Sequence, residues 1–288
     1  MRILITGASG LLGGRLATLL SENHEVTGLT RRRRAPDGIT AVGADLAEED
    51  VVRATLDHVR PKAVIHCAAL ADAEVCERER DLARRDNETA TRTLARACTR
   101  NGIRLLSIST DLVFGGGFSH AREDSPTDPV MEYGRSKLRS EAAALEESPA
   151  AVILRVALVC GRGHGPRMSA SEGIAHRLRS EEPVTLYEDE WRTPIDPESV
   201  ANAIHAVLRQ PKLTGLFHLG GPERLSRFEF GERVARALGL DSGLLRRASQ
   251  ASHLGAPRAR DVSLDTGRAR AELAWSPLPL EIALRDGR

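Results

Sequence analysis

Apolar positions along the chain follow two rhythms. Short runs of β-branched and aliphatic residues recur, each followed by a longer segment whose apolar residues return every three or four positions. The runs predict strands over Arg2 to Thr6, His24 to Thr30, Ile39 to Gly43, Lys62 to His66, Ile103 to Ser109 and Ala151 to Val156. The spacing between them predicts helices over Gly10 to Ser21, Glu48 to Val59, Asp81 to Arg100 and Tyr133 to Leu145; in the third, Leu82, Ala90, Leu94 and Ala97 approximate one helical face. Such alternation predicts the α/β class, a doubly wound parallel sheet covered by helices.

After Cys160 the rhythm changes. Gly161-Arg-Gly-His-Gly-Pro166 reads as a loop. Helices over Glu172 to Arg179, Pro197 to Arg209 and Arg227 to Leu238 then mix with short strands at Val184 to Tyr187 and Leu216 to Leu219. The pattern predicts a dinucleotide-binding domain over 1–160 and a smaller, discontinuous C-terminal α/β lobe over 161–288, with 193–220 returning to the first domain.

Composition narrows the class without changing it. The 288 residues carry 41 basic and 40 acidic side chains, a formal charge of +1, which speaks against a nucleic-acid partner. Met1 runs directly into Arg2-Ile3-Leu4-Ile5, and no apolar stretch approaches the roughly 20 residues that span a bilayer, so a cytoplasmic protein with no membrane partner is expected. Cys67, Cys76, Cys98 and Cys160 lack paired spacing and read as free, mostly buried thiols. No His, Cys and Asp cluster has metal-ligand spacing, so no metal is expected.

The first chemical signal is Thr6-Gly7-Ala8-Ser9-Gly10-Leu11-Leu12-Gly13, set between a predicted strand and a predicted helix. Gly7 and Gly10 allow a tight turn and close approach of backbone to a pyrophosphate, whose charge suits the helix N-terminus, while Gly13 permits close packing. The second is Tyr133-Gly-Arg-Ser-Lys137. Its i, i+4 spacing puts phenol and ammonium on one helical face, and the chain has only Tyr133, Tyr187, Lys62, Lys137 and Lys212 from which to draw such a pair. Hydride delivery to a ketone creates an alkoxide that needs a proton; a phenol beside an ammonium can supply it, with Lys137 expected to lower the phenol's pKa. A third signal ends the second strand, where Thr30 leads into Arg31-Arg32-Arg33-Arg34 with no acid nearby. A guanidinium binds a 2'-phosphate that a carboxylate would repel, so Arg31 and Arg32 favour NADP(H) over NAD(H); Arg33 and Arg34 read as a solvated face.

The glycine spacing G-x-x-G-x-x-G, the strand ending His66-Cys67-Ala68-Ala69-Leu70, the helix Asn87 and the Tyr133/Lys137 pair together resemble the short-chain dehydrogenase/reductase family. Later segments are similar to its extended nucleotide-sugar reductases, typified by dTDP-4-dehydrorhamnose reductase: Ser109-Thr110-Asp111-Leu112-Val113-Phe114, Phe217-His-Leu-Gly-Gly-Pro222, Leu225-Ser-Arg-Phe-Glu-Phe230 and Arg258-Ala-Arg-Asp-Val-Ser-Leu-Asp265. The resemblance implies NADP(H)-dependent reduction of the keto group of an NDP-4-keto-deoxysugar. It implies that Tyr133 donates the proton, Thr110 binds the carbonyl oxygen, Lys137 binds the nicotinamide ribose and Asn87 orients Lys137 through water. It places Ser9, Leu11, Leu12, Cys67, Ala68 and Ala69 along the cofactor and Asp45-Leu46 at its adenine. A homodimer is within its range.

Leu112 stands where related dehydratases carry the second acid of an Asp-Glu pair, which argues against dehydration. Leu158 and Cys160 stand where reductases often have Trp and Tyr. Thr30-Arg31-Arg32 and His66-Cys67-Ala68-Ala69 also resemble the regulatory β-subunit of methionine adenosyltransferase, so a non-catalytic NADP-binding partner subunit is the alternative, with a 4-epimerase as a third. For Arg192, in Trp191-Arg192-Thr193-Pro194, two readings stand side by side: a clamp on the substrate diphosphate, or a surface arginine beside a buried Trp. Arg155 reads as a structural ion-pair partner, and His66 and His218 as core histidines.

Overall fold

Ile3, Leu4 and Ile5 are fully buried, and they divide between two cores: Ile3 and Ile5 on one side of the sheet, Leu4 on the other. Successive residues of a strand face opposite ways, so a strand apolar at every position is one covered on both faces. The computed structural model, which describes residues 1–31, 33–253 and 255–285, shows this arrangement in the central strands of its sheet, while the edge strand at Thr40–Gly43 is largely exposed.

Element order begins β1 (Arg2–Thr6), α1 (Leu11–Ser21), β2 (Glu25–Thr30), β3 (Thr40–Gly43), α2 (Glu49–Val59) and β4 (Ala63–His66). It continues through α3 (Ala73–Arg78), α4 (Arg80–Ala83), α5 (Ala90–Arg100), β5 (Arg104–Thr110), α6 (Glu132–Glu147), β6 (Val152–Val156) and α7 (Ala170–Arg179). Then come β7 (Val184–Tyr187), β8 (Trp191–Arg192), α8 (Pro197–Leu208), β9 (Gly215–Leu219), β10 (Leu225–Ser226), α9 (Arg227–Leu238), β11 (Leu245–Ala248), α10 (Gly267–Leu273) and α11 (Leu280–Arg285).

The seven-stranded sheet runs β3-β2-β1-β4-β5-β6-β9, every neighbouring pair parallel. Its order reverses between β1 and β4, which opens a crevice beyond their C-terminal ends. Helices α1 and α8 pack on one face, α2, α5 and α6 on the other. Segment 193–220 contributes α8 and β9 to this sheet. A separate apolar cluster, including Ile174, Leu186, Phe228 and Phe230, forms the core around α7, α9 and β7.

The expected helix over Asp81 to Arg100 is not one regular α-helix. Between α4 and α5, Arg84–Thr89 closes as a π-helical segment. Such turns hold an extra residue and concentrate at functional positions. Here it lets Asn87 reach sideways: Asn87 Oδ1 accepts from Leu70 N at 2.7 Å, and Nδ2 donates to Ser136 Oγ at 2.7 Å. Apolar periodicity also missed α3, α10, α11 and the ladders β8–β10 and β7–β11.

A buried ion pair ties β6 to α6. Arg155 on β6 donates through Nε and Nη2 to the two carboxylate oxygens of Glu141 on α6, at 2.9 and 2.8 Å, and stacks over Phe114. Ser109 Oγ donates to the same carboxylate at 2.5 Å. Both charged side chains are about 5% exposed, so removing one strands the other. Arg155→Met is expected to cost about 3–5 kcal/mol in urea denaturation, and the double variant with Glu141→Leu to cost less.

Candidate active site

The candidate site gathers beyond the C-terminal ends of β1, β2, β3, β4, β5 and β6, with Tyr133 and Lys137 reaching it from α6. The turn after β1 needs glycine: Gly7 has φ +68°, and a Cβ there would lie 2.7 Å from Ala68 N, while a Cβ on Gly13 would lie 2.4 Å from the Gly7 carbonyl oxygen. A side chain at either place would fill the turn. With Gly10 as N-cap of α1, backbone amides and the positive end of the helix meet a turn lined by glycine, which fits a pyrophosphate. The geometry therefore accepts a dinucleotide along the crevice.

Two adjoining cavities follow that crevice. The smaller, about 240 Å³, is lined by Gly7, Ser9, Gly10, Thr30, Arg31, Asp45, Leu46, Cys67, Ala68 and Ala69. The larger, about 730 Å³, continues past Leu11, Leu12 and Gly13 to Thr110, Tyr133, Lys137, Leu158 and Met168. These cavities bring together the residues expected along the cofactor and at the reaction centre, with Arg32 lying outside the described residues. Arg33 and Arg34 are exposed. A segment after β6 crosses the glycine turn: His164 N donates to Leu11 O at 3.1 Å, and Arg167 pairs with Asp72 at 2.8 Å.

Tyr133 and Lys137 face the larger cavity one helical turn apart, but their electrostatics differ from expectation. Burial, then Asp111 and Cys76, pushes the Tyr133 phenol above its ordinary value, opposed by the Thr110 hydroxyl and Arg167. Lys137 is not among these leading influences, and burial sets the direction of the shift. Lys137 itself is 3% exposed, and desolvation pushes its ammonium down to about 8 against the pull of Glu141 and Cys67. The phenol is thus firmly protonated and its neighbour is a desolvated cation.

Three expected residues have partners of their own. Thr110 Oγ1 donates to Asp111 Oδ1 at 3.0 Å and accepts from Leu112 N at 3.2 Å. Asn87 spends its amide on Leu70 and Ser136, which joins α6 to the loop after β4. Arg192, 5% exposed, pairs with Glu190 at 2.9 Å and lies 3.8 Å from Asp111 Oδ2. It does not line the cleft, and its place in a buried ion cluster corrects both expectations, the diphosphate clamp and the surface arginine.

Sequence reading missed that cluster. Glu190 also receives Arg258 at 2.6 and 2.9 Å, and the half-buried Arg227 feels Glu190, Arg192, Arg258 and Asp111. Arg258 and Arg227 stood inside quoted motifs, but nothing in their spacing gave Glu190 as the common partner. His66 is fully buried, with Nδ1 2.7 Å from Thr6 Oγ1 and Nε2 2.9 Å from Thr91 Oγ1, and burial followed by Lys137 pushes it down to about 3. The cysteines are free; Cys76, Cys98 and Cys160 are buried and Cys67 half-buried. Among the described residues, no group of three His, Cys, Asp or Glu side chains could hold a metal ion, and no helix is long and apolar enough to cross a membrane.

A family model described as the RmlD substrate binding domain matches residues 1–286. The chain belongs to this family. It is 32% identical to the probable low-salt glycan biosynthesis reductase Agl14 of Haloferax volcanii, over 98% of this chain and 95% of that protein. It is 30% identical to methionine adenosyltransferase 2 subunit beta of Danio rerio, over 99% and 89%. The crystal structure of a hypothetical dTDP-4-dehydrorhamnose reductase from Sulfolobus tokodaii superposes with a TM-score of 0.86 at 31% identity, covering 100% of this chain and 99% of that one. Structures of the same fold are in complex with NADP or NAD, and MoeE5 is also in complex with UDP-glucuronic acid.

Asp111 gives a test of this electrostatic picture. Burial raises its carboxyl from 3.8 to about 6, Glu190 adding to the rise and Arg192 and Thr110 opposing it. Its folded value exceeds the unfolded one, so its stabilising contribution is complete below about 3.8 and lost as pH rises through about 6. Asp111→Asn, which never ionises, should be more stable than the parent at pH 7 by roughly 2–3 kcal/mol. Thermal melts from pH 7 to pH 4 should show that advantage shrinking.

Proposed function

We propose that this chain is an NAD(P)H-dependent reductase that converts the keto group of an NDP-4-keto-deoxysugar to an alcohol. The observation that carries the reading is the placement of Tyr133, Lys137 and Thr110 on one wall of the larger cavity, continuous with the glycine turn. Family membership and the likeness to Agl14 support the same class of chemistry.

Bound at the crevice, the nicotinamide would supply hydride to the carbonyl carbon. The chain's part is to hold the ketone and to supply a proton. As the carbon–oxygen π bond breaks, the oxygen takes the proton of the Tyr133 hydroxyl; burial and Asp111 keep that hydroxyl protonated until the alkoxide forms. Lys137, desolvated beside the cavity, stabilises the phenolate left behind. Thr110 turns its hydroxyl from Asp111 toward the substrate oxygen at the same wall. Leu158 and Met168 add apolar surface to that end of the cavity. A phenol held protonated suits reduction better than epimerisation, which must also remove a proton.

The likeness to methionine adenosyltransferase 2 subunit beta supports a second reading, a dinucleotide-binding subunit that acts through a partner enzyme. One assay separates them. NADPH oxidation with a panel of NDP-4-ketosugars should show turnover, and Tyr133→Phe should reduce it by roughly 10²–10⁴-fold with cofactor affinity nearly unchanged. Absence of turnover across the panel, with tight dinucleotide binding and a co-purifying enzyme, would overturn the reductase.

A further inference from the structure

At the end of β2 the sequence sets no acid beside Arg31. The fold supplies one from 55 residues away. Asp86 lies in the π-helical segment, immediately before Asn87, and its carboxylate is 7% exposed. Arg31 Nη1 donates to its Oδ1 and Nη2 to its Oδ2, each at 2.8 Å, which is the planar two-point pairing of a guanidinium with a carboxylate. Arg85 flanks the pair, donating to Asp86 Oδ1 at 3.1 Å and to Asp45 Oδ2 at 2.9 Å. Arg31, Asp86 and Asp45 all line the smaller cavity, beside Thr30 and Leu46. Arg31 keeps 41% of its side chain exposed, so an incoming group can reach it.

We propose that Asp86 sets the choice between cofactors: by holding Arg31 at both of its carboxylate oxygens, it makes a 2'-phosphate compete for a guanidinium already in use. The inference rests on the dinucleotide reading above and deepens it. A phosphate that draws Arg31 away leaves Asp86 buried with Arg85 alone, and it brings like charge against that carboxylate. A cofactor with a free 2'-hydroxyl disturbs neither. The NADP(H) preference implied by Arg31 is therefore offset, and the chain accepts both dinucleotides with similar affinity. Asp86→Asn keeps an acceptor for Arg31, removes the charge and releases the preference.

Isothermal titration of the full chain with NADPH and with NADH tests this. The parent should bind both with dissociation constants within about tenfold of each other. Asp86→Asn should bind NADPH about tenfold more tightly, the scale of one charge-assisted hydrogen bond, with NADH changed by less than about threefold. Asp86→Ser, which removes the charge with a smaller polar group, should shift the ratio the same way and serves if the first variant fails to fold. Arg31→Ala should weaken NADPH more than NADH. An unchanged or reversed ratio in both Asp86 variants, or a strong preference in the parent, overturns the proposal while leaving the dinucleotide site standing. A parent that binds neither cofactor overturns both.

Discussion

The helix that carries Tyr133 and Lys137 is held to the sheet by a short buried seam of hydroxyl, imidazole and amide groups. Thr6, last residue of β1, meets His66, last residue of β4; His66 meets Thr91 on α5; Thr91 meets Ser140 on α6 at 2.8 Å. Asn87 adds a parallel stitch from the loop after β4 to Ser136. Between them these contacts tie the strand that carries the glycine turn to the helix that carries Tyr133 and Lys137. Each member is enclosed, so a broken link leaves a polar group without water to replace it. That cost fixes the position of α6 more firmly than its modest apolar stripe alone.

A neutral His66 is part of this arrangement. Lys137 lies close enough to depress its pKa, and a second cation there would face the ammonium in a medium that screens poorly. The imidazole therefore serves as a two-ended connector, one nitrogen toward each hydroxyl. Lys137 accepts the desolvation of the same interior and stays charged through the nearby Glu141, which Arg155 also grips. The wall formed by Tyr133 and Lys137 and the structural core thus share one set of buried charges.

Much of this could be read from residues alone, because the signals were local. Gly7, Gly10 and Gly13 report backbone space; Tyr133 and Lys137 report one helical face; the runs from Ile3 to Ile5 and from Ala63 to His66 report strands covered on both sides. What escaped was non-local. Asp86 and Arg31 are far apart in sequence and meet only because the fold brings the segment at Arg84–Thr89 against the end of β2. Arg192 was legible as an arginine near the cleft, but its burial depends on Glu190 and Asp111, which no periodicity links. The direction of the phenol's shift escaped for a similar reason: desolvation and Asp111, which push it up, cannot be read from helical spacing.

The wide turn at Arg84–Thr89 also bears on how this chain can change. An element that closes i→i+5 for one turn carries a residue that a regular helix has no room for. Point substitutions alter the side chains on it but leave that extra residue in place. Removing it takes a deletion, and a deletion would rotate either the buried stripe of Leu94, Ala97 and Cys98 or the Asp86-Asn87 pair out of phase with its surroundings. Lineages that keep both the packing and the pair are thereby confined to one spacing along this stretch, whatever else in the sequence drifts.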